Sequence, residues 1–153
     1  MTTLNADSVK VDQKIQLIDA RGPRFGALIT TAVLAIALLT NSTLVIGIQL
    51  AVFALAVILG PARGPYGLIY KKLVKPRLSG DVPTEDSRPP RFAQAVGLAF
   101  AATAFIAGLA SAWTVFAVAV ALCLAASFLN AAFNFCLGCE IYLLISRLTH
   151  KAR

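Results

Sequence analysis

The sequence predicts an all-α polytopic membrane protein with four transmembrane helices, and three observations support this fold class. Of the 153 residues, 58% are hydrophobic and only 14% are charged, whereas about a quarter of the residues of a soluble domain are charged. The mean hydropathy is +0.78, and a chain this short has too little interior to bury so much apolar surface in water. The apolar residues also fall into four charge-free runs. These features exclude a soluble globular enzyme, a disordered chain and a fibrous repeat.

The chain begins with a polar segment, residues 1–20, that we expect to lie in the cytoplasm. The first apolar run starts only at Phe25, later than the apolar core of a cleavable signal peptide. We therefore expect this run to be retained as a span. The hydrophobic residues of the polar segment are compatible with either a strand or a helix at the membrane surface; they are Val9, Val11, Ile15, Leu17 and Ile18.

Residues 21–76 are interpreted as a first transmembrane hairpin followed by a short interfacial segment. The charge-free runs 25–40 and 44–60 are near the shortest length that crosses a hydrocarbon core about 30 Å thick. A polar Asn-Ser-Thr turn joins them. The stretch 66–74 mixes aromatic and aliphatic residues with lysine, a pattern typical of a segment that lies at the membrane surface.

Residues 88–148 are interpreted as a second hairpin repeat. A cytoplasmic loop at 77–87 precedes it and a basic tail at 149–153 follows it. The second charge-free run of this hairpin begins at Trp113, and the apolar sequence continues too far for one span. The sequence therefore predicts a break near Gly138 and a second interfacial segment after it.

The distribution of basic residues predicts the orientation of the chain. All 14 Lys and Arg residues lie before the first charge-free run, between the second and the third, or after the fourth, and the two short turns carry no charge. Because basic loops stay on the cytoplasmic side, we expect four spans of the inner membrane with both termini cytoplasmic. Two spans with two buried hairpins remain the alternative.

The net charge of +7 predicts contact with a lipid bilayer that contains anionic headgroups. Nucleic acid is not an expected partner, because no base-stacking aromatic residues alternate with the basic ones.

The two predicted hairpins begin with similar sequences, R-G-P-R-F from Arg21 and R-P-P-R-F from Arg88. Each hairpin is followed by a glycine-containing break and then by an aromatic and aliphatic segment that ends in Lys or Arg. Two similar hairpins that enter from the same side predict a parallel repeat about an axis along the membrane normal. Within these motifs, Arg21, Arg24, Arg88 and Arg91 are predicted to anchor the helices at the headgroups.

The sharpest chemical signal is the C-x-x-C motif formed by Cys136 and Cys139. This spacing brings two thiols together, as dithiol–disulfide exchange, sulfur transfer or half of a metal site requires. We predict that Cys136 is the attacking thiol and Cys139 the resolving thiol. Glu140 would tune them, because a nearby carboxylate disfavours a thiolate and can accept a proton. The alternative is that both cysteines are small apolar packing residues at a helix end.

Other polar residues of the predicted spans have weaker interpretations. Gln94, Asn130 and Asn134 are predicted to hydrogen-bond between helices or to form a polar lining near the thiols. No Asp, Glu, Lys or Arg lies within a predicted span, which argues against ion-coupled transport. No metal or other cofactor is expected, because His150 is the only histidine and one chain cannot complete a tetrahedral zinc site at ordinary spacing. A four-cysteine zinc site shared by two chains remains an alternative.

A stripe of small residues follows one face of the third predicted span: Gly97, Ala101, Ala104 and Gly108. Such a stripe lets helix backbones approach closely. It predicts packing within the bundle or between the subunits of a homo-oligomer.

Four segments of the chain resemble the bacterial membrane family catalogued as domain of unknown function 4395. The similarity extends from about Asp19 to Leu148 and leaves out residues 1–18. It implies an integral inner-membrane protein without an established activity, whose relatives often accompany thioredoxin-like or rhodanese-like sulfur proteins. The segments that carry the resemblance are RGPRF from Arg21, GPYG from Gly64, RPPRFAQAVG from Arg88 and CLGCEIY from Cys136.

The leading functional hypothesis from the sequence is a membrane dithiol that exchanges electrons or sulfur with a cytoplasmic partner. A structural or assembly protein without chemistry and a small-molecule transporter are the alternatives. Whether the protein is an enzyme stays open at this point.

Overall fold

The computed structural model describes residues 16–151, so the segment with Val9, Val11 and Ile15 lies outside the described residues. The helices, numbered in chain order, are α1 (Arg21–Thr40), α2 (Thr43–Leu59), α3 (Pro65–Ile69), α4 (Arg88–Leu109), α5 (Trp113–Phe133) and α6 (Leu137–Lys151). Helix α3 continues into a π-helical turn (Tyr70–Val74) and a 3-10 turn (Lys75–Arg77). Two short strands are β1 (Leu17–Asp19) and β2 (Thr84–Asp86).

Four long helices pack around one core. Helix α1 contacts α2 and α5, and helix α4 contacts the same two helices from the other side. The most extensive contacts join α1 to α5 and α2 to α4. Each helix of the first hairpin therefore packs mainly on a helix of the second.

The long helices are suited to a lipid environment. Helices α1, α4 and α5 are each long and apolar enough to cross a membrane, and α2 is a shorter apolar helix of 17 residues. Their outward surfaces expose many large apolar side chains, such as Leu28, Ile48 and Val118. A protein surface this apolar is stable against lipid and unfavourable in water. The structure thus agrees with the multi-pass helical membrane protein that the composition predicts.

The small-residue stripe of α4 packs inside this bundle. Gly97 and Gly108 are buried, and a Cβ atom at Gly97 would lie 2.8 Å from the ring of Phe53 in α2. Thr43 of α2 covers Gly108 in the same way. Of the two roles predicted for the stripe, the structure supports packing within the bundle.

The connections between helices use residues in the left-handed conformation. Asn41 ends α1 with φ 48°, Ser111 lies between α4 and α5 with φ 58°, and Asn134 ends α5 with φ 54°. The break predicted near Gly138 therefore begins at Asn134, since asparagine tolerates this conformation. Gly138 lies in the first turn of α6, where a Cβ atom would be 2.7 Å from the Cα of Ala93. Its missing side chain lets α6 pack closely on α4.

The two short strands are a feature that the all-α prediction did not include. They pair antiparallel, with Leu17 opposite Asp86, Ile18 opposite Glu85 and Asp19 opposite Thr84. The sequence left the first of these segments open between strand and helix and interpreted the second as part of a loop. Because β1 meets its partner only when the two hairpins come together, no local pattern indicates the pairing.

We expect Gly97→Leu to reduce the yield of folded protein in detergent and to lower its midpoint of thermal unfolding. The leucine would overlap the Phe53 ring, and overpacking of this kind costs about 1–3 kcal/mol. Ala99→Leu is the matched control, because Ala99 lies on the same helix and is exposed. Equal yields and midpoints for the two variants would contradict the packing of α4 on α2.

Candidate functional site

The cysteine pair lies at the start of α6. Cys136 directly precedes the first residue of the helix, and its Sγ accepts a hydrogen bond from the backbone N–H of Cys139 at 3.3 Å. The Cys136 carbonyl accepts the backbone N–H of Glu140 at 3.0 Å. This is the N-cap arrangement, in which a side chain satisfies one of the free N–H groups of a first helical turn. The two Cα atoms are 5.1 Å apart and the sulfurs are joined as a disulfide.

The environment of the pair differs from that of the third cysteine. Cys136 and Cys139 are partly exposed and Glu140 is exposed, whereas Cys123 is buried in α5. The positive end of the α6 dipole points at Cys136. The pair therefore lies at the surface of the described fold, at the N-terminal end of α6, and Cys123 does not.

A partly open cavity of about 280 Å³ borders Cys136. Residues of both hairpins and the first turns of α6 line it, and Cys136 forms part of its wall. Most of the lining is apolar. Among the described residues that line it, none is Asp, Glu, Lys, Arg or His. Its polar lining consists of Thr30, Gln94, Ser127 and Asn130, together with the thiol of Cys123.

The structure brings together two of the three polar residues that the sequence suggested as a lining. Gln94 and Asn130 line the cavity. Asn134 does not, since it is the exposed residue at which α5 ends and it no longer follows the helical face of Asn130. Sequence reasoning missed the contributions of Thr30 and Cys123. Thr30 belongs to the other hairpin, and no signal in a single sequence links it to this site.

An aspartate lies two residues before the first arginine of each arginine-rich motif. The backbone N–H of Arg21 donates to Asp19 Oδ1 at 2.9 Å, and its guanidinium donates to both carboxylate oxygens at 3.1 Å. Arg88 forms the corresponding pair with Asp86, in which the backbone N–H donates to Oδ1 at 3.0 Å and Nε donates to Oδ2 at 2.8 Å. Both carboxylates thereby hold the first residue of a long helix.

The second arginine of each motif reaches the opposite hairpin. Arg24 donates from Nε to the carbonyl of Ala131 at 3.2 Å. Arg91 donates from Nε to the carbonyl of Val57 at 2.6 Å and from a terminal nitrogen to that of Ile58 at 3.2 Å. These carbonyls belong to the last turns of α5 and α2, which lack partners within the helix. All four arginines therefore bind protein groups, and their predicted contact with headgroups stays a prediction.

Aromatic pairs join each hairpin to the segment that follows it. The rings of Phe25 and Tyr70 have centroids 5.7 Å apart and are tilted by 48°. Phe92 and Tyr142 make the corresponding contact at 5.7 Å and 49°. The Tyr70 hydroxyl also donates to Asp19 Oδ2 at 2.8 Å, so the first contact is tied to the start of α1.

Metal ligands do not gather in the part of the chain that the structure describes. Within residues 16–151, no group of three or more His, Cys, Asp and Glu side chains could hold a metal ion.

These features define a multi-pass helical membrane protein with a cysteine pair at the start of a surface helix. The chain belongs to the family described as domain of unknown function (DUF4395), whose model matches residues 18–147. The match includes both hairpins and the cysteine pair, and it confirms the family that the four motifs indicate. No curated protein and no solved structure matches the chain.

The buried carboxyl of Asp19 makes the fold sensitive to acid. Its side chain is 8% exposed. Burial raises the pKa of Asp19, but the hydrogen bonds from Arg21 and Tyr70 outweigh burial and lower this pKa to about 2. An unfolded aspartate titrates near 3.9. The ionised carboxylate therefore stabilises the fold above about pH 4, and this stabilisation is lost as the pH falls toward 2.

We expect Asp19→Asn to lower the midpoint of thermal unfolding in detergent at pH 7 by about 3 °C or more. The difference from the unsubstituted protein should shrink between about pH 4 and pH 2, where the native carboxylate becomes protonated. Asp81→Asn is the control, because Asp81 is exposed, and it should change the midpoint little at any pH. A difference for Asp19→Asn that is constant from pH 7 to pH 2 would refute the role of the ionised carboxylate.

Proposed function

We propose that this protein is a four-span protein of the inner membrane whose Cys136–Cys139 pair exchanges electrons or sulfur with a cytoplasmic partner. The observation that carries the proposal is the hydrogen bond from the Cys139 N–H to Cys136 Sγ at the start of α6. A thiolate is the nucleophile in thiol–disulfide exchange, and a helix N-terminus favours it. Cys136 is thus the attacking thiol and Cys139, bonded to it, is the resolving thiol. Glu140 is exposed one residue further on and is available to accept a proton.

The exchange with a dithiol partner balances without any further reactant. A partner thiolate attacks Cys136 Sγ, the Sγ–Sγ bond breaks, and Cys139 leaves as a thiolate that takes up a proton. The second partner thiolate then attacks the partner sulfur of the mixed disulfide and releases Cys136. The partner is oxidised by two electrons, and its two protons end on Cys136 and Cys139. Each step is reversible, so the relative reduction potentials set the direction.

The partner class follows from the family resemblance and from the predicted orientation. Thioredoxin-like proteins carry a reactive dithiol, and rhodanese-like proteins carry sulfur on a cysteine. Both are soluble, so they would meet the pair on the cytoplasmic side, where the positive-inside rule places the start of α6.

The four-span arrangement with a parallel repeat is part of this proposal. Helix α2 has 17 residues and a length of about 26 Å, close to the lower limit for a span. The two segments proposed from the sequence, 21–76 and 88–148, take part in equivalent contacts: an aspartate–arginine pair at the start of each, an arginine–carbonyl bond from each to the other, and a tilted aromatic pair within each. These matched contacts support an axis that relates the two hairpins.

A comparison of the two halves supports a chemical role for the cysteines. When Tyr70 is aligned with Tyr142, Gly64 and Gly67 fall opposite Cys136 and Cys139. A Cβ atom at Gly64 would lie 3.1 Å from the backbone of Ala56, and one at Gly67 would overlap backbone carbonyls. The first half thus makes the equivalent bend with glycine and without a thiol, so the bend itself does not require cysteine.

The proposed topology predicts which positions an impermeant maleimide labels in intact cells. In a background with the native cysteines replaced by serine, we expect labelling of Ser42→Cys and Ser111→Cys and none of Ser79→Cys, because only the two short turns face outward. Permeabilised cells provide the control, in which Ser79→Cys should also react. Labelling of Ser79→Cys alone in intact cells would invert the topology, and labelling of all three would exclude it.

The proposed exchange predicts that Cys139→Ser traps a mixed disulfide on Cys136. In the reverse direction of the exchange, the Cys136 thiolate attacks the disulfide of an oxidised partner, and without Cys139 no thiol of this chain resolves the mixed disulfide. Cys136→Ser should trap poorly because Cys139 is not the attacking residue. Non-reducing gels and mass spectrometry of the purified complexes would show the difference. If both single variants fold, trap nothing and complement a deletion strain fully, the exchange is disproved and a structural role is left.

A further inference from the structure

We propose that the cavity beside Cys136 binds a membrane quinone, which accepts two electrons from the reduced Cys136–Cys139 pair. This inference deepens the proposed function and rests on it, since it requires the pair to cycle between dithiol and disulfide. In this cycle, a cytoplasmic dithiol protein reduces the Cys136–Cys139 disulfide, and the membrane quinone oxidises the pair again.

The lining of the cavity selects the chemical class of the ligand. Because none of the described lining residues is acidic, basic or histidine, a charged ligand would lie there without a counter-charge, which is costly in a membrane domain. Three of the helices that line it, α1, α4 and α5, are candidate membrane spans. A neutral molecule that partitions into lipid is therefore the fitting occupant.

The volume of the cavity and the polar groups that line it indicate a ligand with a substituted ring that carries hydrogen-bond acceptors. A cavity of about 150 Å³ holds one benzene molecule, and this cavity of about 280 Å³ leaves room for ring substituents. The side-chain amides of Gln94 and Asn130 line it and carry N–H donors suited to ring carbonyl oxygens. The remaining lining is apolar, as the isoprenoid and methyl groups of a quinone require.

The position of Cys136 favours a redox-active ring over an acyl chain of a phospholipid. Cys136 forms part of the cavity wall, and the same sulfur accepts the N–H of Cys139 at the helix start. The sulfur that is favoured as a thiolate thus borders the space that the ligand would fill. An acyl chain has no electrophilic or reducible group to bring to that sulfur, whereas a quinone ring has both.

The reaction balances in atoms and electrons. The Cys136 thiolate adds to a ring carbon of the quinone, a carbon–sulfur bond forms, and the ring oxygen takes up one proton. The Cys139 thiolate then attacks Cys136 Sγ, the carbon–sulfur bond breaks, and its electron pair returns to the ring. Cys136 and Cys139 are now a disulfide, the quinone is reduced by two electrons, and the second thiol proton completes the quinol.

The test measures the oxidation of the reduced protein by decylubiquinone in detergent without oxygen. We expect one quinol formed and two thiols lost per chain, with the third thiol, Cys123, retained. Cys139→Ser should accumulate the ring adduct on Cys136, which mass spectrometry detects as an added quinone mass. The rate at which dithiothreitol reduces the Cys136–Cys139 disulfide of the oxidised protein is measured in parallel as the soluble exchange.

Two matched variants separate binding in the cavity from a general effect on the helix. Ala126 lines the cavity, and its neighbour Ala125 is exposed. We expect Ala126→Leu to lower the ratio of the quinone rate to the dithiothreitol rate by about tenfold or more, and Ala125→Leu to leave it unchanged. If Ala126→Leu does not fold, Asn130→Leu tests the same site and should raise the half-saturating quinone concentration about tenfold through the lost hydrogen bond.

Several outcomes would overturn the inference. A pair whose disulfide is reduced by dithiothreitol, but whose dithiol is not oxidised by decylubiquinone, would refute quinone binding and leave the proposed exchange standing. A pair that reacts with neither reagent would refute both the proposed exchange and the quinone site. Equal rate ratios for Ala126→Leu and Ala125→Leu, with unchanged quinone saturation in Asn130→Leu, would place the reaction outside the cavity. A phospholipid retained in native mass spectra, without quinone reduction, would assign the cavity to an acyl chain.

Discussion

The hydrogen bonds at the ends of α2 and α5 are the interactions on which the rest of the structure depends. The last carbonyl groups of a helix have no partner within it, and each one left unpaired in a membrane domain costs free energy. Arg91 satisfies two such carbonyls of α2, and Arg24 satisfies one of α5. Because each arginine belongs to the opposite hairpin, the same hydrogen bonds satisfy the helix ends and join the two hairpins. The packing of α1 on α5 and of α2 on α4 follows the same crosswise pattern.

This crosswise assembly also positions the chemistry. Gly138 lets the start of α6 lie against Ala93 of α4, which brings Cys136 to a cavity built from both hairpins. Neither hairpin alone would enclose that space. Under the proposed function, a soluble protein would meet the partly exposed cysteine pair, and the apolar cavity is suited to a lipid-soluble molecule. In the two proposals, a soluble partner meets the exposed part of the cysteine pair and the quinone meets the part that borders the cavity.

Much of the architecture could be predicted because its causes are local. Hydropathy located the long apolar helices, and the R-x-P-R-F motifs marked the starts of α1 and α4 to within a few residues. The C-x-x-C spacing predicted that two sulfurs would meet at a helix start, as Cys136 and Cys139 do. Asn134 was interpreted with Asn130 because helical spacing puts them on one face, but α5 ends first. Asn134 itself ends α5 in the left-handed conformation. The sequence alone does not indicate that the helix ends there, because this also depends on how α6 packs after it.

The sequence by itself determined that this is a helical membrane protein of the DUF4395 family with a cysteine pair beside a helix start, since composition, charge and short spacings act over a few residues. Only the tertiary structure decided what surrounds the pair. Arg24 and Ala131 are 107 residues apart in the chain, and Arg91 and Val57 are 34 apart. Thr30, Gln94 and Cys136 meet at one cavity from three different helices or their ends. Contacts at such separations arise from the packing of whole helices, which no local pattern of residues encodes.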